Sequence, residues 1–148
     1  MRRKHSPNRA ALAGKRVILI DDSIVRGTTS VKIVRMVREA GAKEVHLRSA
    51  SPPIKWPDFY GIDMPDQEKL LAANKSLEEM RKFLEVDSLG FLSVQGLYDA
   101  MDAGPRDPVT PQFTDHYFTG DYPTRLRDRE IAEGGDELGR QLSLLVSA

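Results

Sequence analysis

The sequence predicts an α/β fold, a parallel sheet flanked by helices, on two observations. Val17-Ile18-Leu19-Ile20 is a short β-branched run that ends in charge at Asp21, the mark of a strand buried on both faces. A helix-period segment and then a second extended run, Val45-His46-Leu47, follow it directly. A strand, a helix and a strand in succession pair in parallel through a right-handed crossover.

The elements follow in order. Residues 1–16 carry basic patches and no apolar periodicity, and read as an exposed flexible arm or loop; the domain proper is expected over 17–124 and a tail over 125–148. After the first strand comes a polar turn, Asp21-Asp22-Ser23-Ile24-Val25-Arg26-Gly27-Thr28-Thr29. Val31, Val34 and Val37 then recur at helical spacing, with Ala40 behind them, until Gly41 supplies a stop. Pro52-Pro53 closes the second strand. Trp56-Pro57-Asp58-Phe59-Tyr60-Gly61 mixes aromatics with breakers, which predicts a packed loop with Trp56, Phe59 and Tyr60 as core anchors.

Ser76-Leu77-Glu78-Glu79 matches a capping box, and Leu77, Met80, Phe83 and Leu84 form an apolar helical face behind it. Leu89-Gly90-Phe91-Leu92 predicts a third strand, followed by a short helix over Leu97–Met101 that stops at Gly104. Three prolines, Pro105, Pro108 and Pro111, fall in residues 104–111. The charges from Arg125 to Glu130 read as a solvated face, Gly134-Gly135 as part of a mobile tail, and Glu137–Val146 as a terminal helix.

Composition bounds the function. The chain has 148 residues, 40% hydrophobic and 30% charged, with 22 Lys+Arg balancing 22 Asp+Glu. That balance creates no field for a nucleic-acid polyanion or an anionic bilayer, so a small molecule or a protein is the expected partner. The absence of cysteine excludes disulfides, a thiol nucleophile and an iron–sulfur cluster. No apolar run approaches the length of a membrane span, and the cytoplasm is the expected compartment. His5, His46 and His116 are too scattered to define a metal site and read as surface or packing residues.

The chemistry concentrates at residues 21–29. A parallel strand ending in two carboxylates, then turning through Gly27-Thr28-Thr29 into a helix N-terminus, sets an anion site beside a cation site. The free N–H groups of Gly27, Thr28 and Thr29, the helix dipole and two hydroxyls suit a phosphate. Each charge-assisted hydrogen bond contributes about 1.5–3 kcal/mol, against a few tenths to about 1 kcal/mol from the dipole, so loop geometry is the larger effect. Asp21 or Asp22 suits sugar hydroxyls or a hydrated Mg²⁺. A response-regulator receiver also begins with an acidic pair, but it needs a phosphorylatable Asp after a later strand, where this chain has Arg48-Ser49-Ala50. A Walker A loop is absent.

Residues Val17 to Ser30, with Ser23-Ile24-Val25-Arg26-Gly27-Thr28-Thr29 at their centre, resemble the phosphoribosyl-pyrophosphate (PRPP) motif of type I phosphoribosyltransferases in the form found in the amidophosphoribosyltransferase family. The likeness extends through Arg2-Arg3-Lys4, Asn8-Arg9-Ala10, Ala40-Gly41-Ala42-Lys43, Tyr60-Gly61-Ile62-Asp63-Met64-Pro65 and Phe118-Thr119-Gly120-Asp121-Tyr122-Pro123-Thr124. It implies an incomplete type I phosphoribosyltransferase fold over most of the chain. It also implies an enzyme of glycosyl transfer at the first step of purine biosynthesis, in which ammonia from glutamine displaces pyrophosphate from PRPP to give 5-phosphoribosylamine.

Carried over residue by residue, the resemblance gives Asp21 and Asp22 the ribose hydroxyls and Mg²⁺, and wraps Ser23, Ile24, Val25, Arg26, Gly27, Thr28 and Thr29 around the 5′-phosphate. Lys4 takes the catalytic position on a loop that closes over PRPP, and Ser6 replaces a common asparagine there. The glutaminase cysteine is missing, so the chain is expected to be a C-terminal fragment that is inactive with glutamine. Some family members carry cluster-binding cysteines where this chain has Asp58, Thr114 and Tyr117. Expected ligands are PRPP and nucleotide monophosphates, and a homo-oligomer is expected because the Val17–Ile20 strand leaves an unpaired edge. The alternative is a non-catalytic PRPP- or nucleotide-sensing module of the same fold.

Overall fold

The computed structural model describes residues 7–62 and 66–124. Strand β1 (Arg16–Asp21), helix α2 (Thr28–Glu39) and strand β2 (Glu44–Ser49) form the expected strand–helix–strand unit, preceded by a single helical turn, α1 (Arg9–Leu12). A 3₁₀ turn over Gln67–Lys69, α3 (Leu71–Asn74) and α4 (Leu77–Phe83) lead to β3 (Ser88–Phe91), and α5 (Val94–Ala100) and α6 (His116–Thr119) complete the chain. The sheet has the order β1-β2-β3, all parallel, with Val17 opposite Val45 and Leu47 opposite Leu89.

Side-chain alternation divides the sheet into two unlike faces. Val17, Leu19, Val45, Leu47, Leu89 and Phe91 pack with Val34 and Val37 of α2, Met80 of α4, and Ile24, Leu71, Leu84 and Val86. The opposite face carries Ile18 and Ile20, which are 64% and 78% exposed, beside a polar ladder. In that ladder Arg16 Nε lies 2.7 Å from Glu44 Oε2, and His46 Nδ1 lies 2.8 Å from Ser88 Oγ. The described helices therefore cover one face of a sheet whose strand sequences are apolar enough for two.

Capping chemistry sets the helix starts. Ser76 and Glu79 form the expected reciprocal box, each bonding to the other's backbone N–H. Helix α5 begins at Val94, earlier than the apolar spacing suggests, because Ser93 caps it by accepting from the Gly96 N–H at 2.9 Å. The expected arm also differs from expectation over residues 8–16. Asn8 caps α1 by accepting from the Ala10 and Ala11 N–H groups, Leu12 packs on the core, and Gly14 donates to the Gly41 carbonyl at 2.7 Å.

The 56–61 segment is an irregular loop, but two of its aromatics are not core anchors. Phe59 and Tyr60 are 52% and 44% exposed, whereas Trp56 lies against Gly120, where a Cβ atom would stand 2.8 Å from the indole. The exposed ring of Phe59 instead meets Tyr122, at a centroid distance of 5.5 Å. The expected terminal helix, the charged run from Arg125 and Lys4 lie outside the described residues. Among the described residues no helix is long and apolar enough to cross a membrane.

Candidate functional site

The turn from β1 into α2 lies at the carboxyl end of the sheet, where ligands of open α/β folds bind. Its residues, Asp21 to Ser30, line a depression of about 450 Å³. Asp21 is the last residue of β1, in register with Ser49, and its carbonyl accepts from the Ala50 N–H at 2.9 Å. Its carboxylate accepts from the Asp22 N–H at 3.2 Å and from the Ser30 hydroxyl at 3.3 Å. Asp22 is exposed; its Oδ1 accepts from the Ser23 N–H at 2.6 Å, and its Oδ2 has no partner among the described residues.

The middle of the loop is moored from beneath. Ile24 is buried in the core, and the Val25 carbonyl accepts from the Leu71 N–H at 2.8 Å. Gly27 caps α2 in the left-handed region, with φ of 74°. A Cβ there would stand 2.9 Å from Leu71 Cδ2, 3.1 Å from Leu84 Cδ2 and 3.1 Å from Phe83 Cε1. The glycine is thus demanded both by backbone conformation and by contact with α3 and α4, on the side turned toward the core. Thr28 and Thr29 are exposed in the first turn, where backbone N–H groups have no intrahelical acceptor.

The fold therefore brings together the sequence-predicted residues Asp21, Asp22, Ser23, Ile24, Val25, Arg26, Gly27, Thr28 and Thr29. Their tasks are unequal. Ile24 is a core anchor and Gly27 a steric necessity, while Asp22, Thr28 and Thr29 offer polar groups to solvent. Among the described residues no group of three or more His, Cys, Asp or Glu side chains could hold a metal on protein ligands alone. The Asp21–Asp22 pair, with one free carboxylate oxygen on Asp22, suits a hydrated divalent cation that keeps water or ligand oxygens in its remaining positions.

Two buried polar centres were not legible as such in the sequence. Asp115 accepts from Arg106 Nε at 2.5 Å, Arg106 Nη2 at 3.1 Å and the Tyr98 hydroxyl at 2.9 Å, and Arg106 also reaches Asp121 at 2.6 Å. Burial disfavours the Asp115 carboxylate, but the guanidinium and the phenol overcome it and hold its pKa below the usual range. Burial and the Asp115 carboxylate push the Tyr98 hydroxyl up. The second centre joins Asp58 to His116. Asp115 and His116 are adjacent in the sequence, and their partners lie 9 to 58 residues away.

No protein-family model matches the chain. It is 61% identical over 145 residues to an amidophosphoribosyltransferase of Rhizobium etli, a match that covers 97% of this chain and 28% of that protein. It is 49% identical over 126 residues to the amidophosphoribosyltransferase of Bacillus subtilis, across 85% of this chain and 26% of the relative. Among solved structures, the glutamine PRPP amidotransferase of B. subtilis in complex with ADP and GMP superposes with a TM-score of 0.74 at 49% identity, over 82% of this chain and 26% of that one. A structure described as the allosteric regulatory enzyme of purine biosynthesis gives a TM-score of 0.72, also at 49% identity, over 80% and 25% of the respective chains. The chain thus spans about a quarter of the length of the relatives it matches, in their C-terminal part. By sequence and by fold it belongs with the amidophosphoribosyltransferases, enzymes of the glycosyltransferase type.

Proposed function

We propose that this chain holds the ribose-phosphate half of a PRPP site, and that it serves the amidophosphoribosyl transfer which opens purine biosynthesis. The observation that carries this reading is the juxtaposition at residues 21–30: the N-cap Gly27, the first-turn N–H groups of the exposed Thr28 and Thr29, and an Asp22 carboxylate oxygen with no partner among the described residues border one depression. The amides and threonine hydroxyls bind the 5′-phosphate. Asp21 and Asp22 accept from the ribose hydroxyls and hold Mg²⁺, which supplies charge neutralisation for the leaving pyrophosphate. The ADP and GMP bound in the B. subtilis structure support nucleotides as further ligands.

The transfer requires a developing oxocarbenium centre at ribose C1 to be aligned with ammonia and screened from water. This chain's part is orientation: a rigid helix start fixes the phosphate, and the strand end fixes the sugar. Lys4, on the closing loop implied by the resemblance, belongs to the same proposal, as do a cytoplasmic setting and self-association.

Calorimetric titration of the 148-residue chain with ribose 5-phosphate, with and without Mg²⁺, tests the reading. Wild type is expected to bind ribose 5-phosphate more tightly than inorganic phosphate. Asp22→Asn should lose about tenfold for ribose 5-phosphate while leaving inorganic phosphate unchanged. Equal affinities of wild type and Asp22→Asn for every ligand would place the sugar elsewhere.

A further inference from the structure

We propose that Ser30 is a positioning residue of this site, one that orients the Asp21 carboxylate toward the ribose; the inference rests on reading residues 21–30 as the ribose-phosphate site. Ser30 is 4% exposed and stands in the first turn of α2, directly after the two threonines that face solvent. A buried hydroxyl in a helix commonly bonds to the carbonyl a turn back. Here its partner is Asp21 Oδ2, at 3.3 Å and nine residues away.

The consequence is a division of labour between adjacent carboxylates. Asp21 is held at both oxygens, by the Ser30 hydroxyl and the Asp22 N–H, and through its backbone by β2 and Ala50. An ionised carboxylate has about four lone-pair sites, so these two donors leave roughly half of its accepting capacity, aimed by the protein, for a ligand. Among the described residues Asp22 bonds only within its own turn, with no partner at Oδ2. Asp21 is therefore the fixed acceptor and Asp22 the adaptable one. Ser30 couples the fixed acceptor to the helix whose first amides meet the phosphate, so sugar and phosphate sites share one rigid element. Removing the hydroxyl frees the carboxylate to rotate; around metal-ligating groups the loss of such a supporting hydrogen bond typically costs about 10–100-fold in affinity or activity.

The experiment is a double-mutant cycle on the full chain, titrated with ribose 5-phosphate plus Mg²⁺ and separately with inorganic phosphate. Ser30→Ala is expected to weaken ribose 5-phosphate about tenfold and leave inorganic phosphate unchanged. In an Asp21→Asn background the same substitution should cost nothing further, because its effect passes through the carboxylate. Ser30→Thr, which keeps the hydroxyl, should retain wild-type binding, and urea midpoints identify any variant that fails to fold. Equal losses for both ligands, additive losses in the two backgrounds, or no loss from Ser30→Ala overturn the positioning role while leaving the site reading intact. Absence of ribose 5-phosphate binding by wild type overturns both.

Discussion

His116 Nε2 lies 3.0 Å from Asp58 Oδ1, and both side chains are completely enclosed, so one buried pair ties the loop after β2 to α6. The other oxygen of Asp58 accepts from the Tyr60 and Ile62 N–H groups at 2.9 and 2.7 Å. Three tyrosines surround the imidazole, Tyr117, Tyr122 and Tyr60, with ring centroids 4.0, 4.9 and 5.3 Å away. A single carboxylate thus organises a segment with almost no regular structure, and with it the C-terminal edge of the described domain.

Stability should follow the ionisation of Asp58 and Asp115. Burial opposes the charged form of each, but the donors around them prevail, so both pKa values lie below the ordinary carboxylate range. A group whose folded pKa is depressed contributes stability above its unfolded pKa, and that contribution is lost as pH falls through the folded pKa. The urea midpoint is therefore expected to hold steady from neutrality to about pH 5 and to decline below about pH 4. Asp58→Asn should lower the neutral-pH midpoint and flatten the acid decline. An acid limb of unchanged slope in that variant would show that Asp58 does not titrate with unfolding.

Arg106→Met should destabilise by about 3–5 kcal/mol, since it leaves the Asp115 carboxylate buried without its guanidinium. Asp115→Leu in the same chain removes the stranded charge and should recover much of that loss. The comparison is made by urea unfolding of both variants. A double variant no more stable than Arg106→Met would mean that packing, rather than charge burial, sets the cost.

How much of this was legible beforehand follows from the range of each interaction. The β1–α2–β2 unit, the capping box at Ser76 and the Asp21–Thr29 loop rest on residues within a few positions of one another, and all appear where local pattern places them. The turn of helix at Arg9 was missed because it is only four residues long and shows no period; Asn8 was its available signal. Ser30 belonged to the same motif, yet nothing in its spacing distinguished a hydroxyl facing Asp21 from one facing solvent. Asp58, Arg106, Asp115 and His116 meet across up to 58 residues of irregular chain, which no periodicity encodes. The resemblance wraps Gly27 around the 5′-phosphate, and the structure adds that its missing Cβ makes room for Leu71, Leu84 and Phe83.

The packing around Gly27 yields a distinct prediction. Gly27→Ala imposes about 1–2 kcal/mol of left-handed strain and adds overlap with Leu71 Cδ2, so a loss of about 2 kcal/mol or more in urea unfolding is expected. Adding Leu71→Val, which shortens the opposing side chain, should relieve the overlap but not the strain, and the recovery should be partial. Phosphate affinity should fall with stability in both variants, because the loop is displaced from its core side. Wild-type stability in Gly27→Ala would show that the core side tolerates a Cβ at this position.

The final prediction concerns the uncovered sheet face. Ile18 and Ile20 project from β1 on the side that the described helices leave open, and β1 is an edge strand in the described sheet. Two isoleucines aligned two residues apart on an edge strand present both apolar area and unpaired backbone, the combination that promotes association. Their neighbours across the sheet, His46 and Arg48, are already engaged with Glu44 and Ser88, so the polar ladder offers little to a partner while the isoleucines offer most. Replacing both by threonine keeps β-branching and strand propensity while removing much of the apolar character. The variant is expected to keep its far-ultraviolet circular dichroism, to bind less of an apolar dye, and to sediment as a smaller species than wild type at the same concentration. Identical sedimentation and dye binding in the two proteins would show that other surfaces govern association.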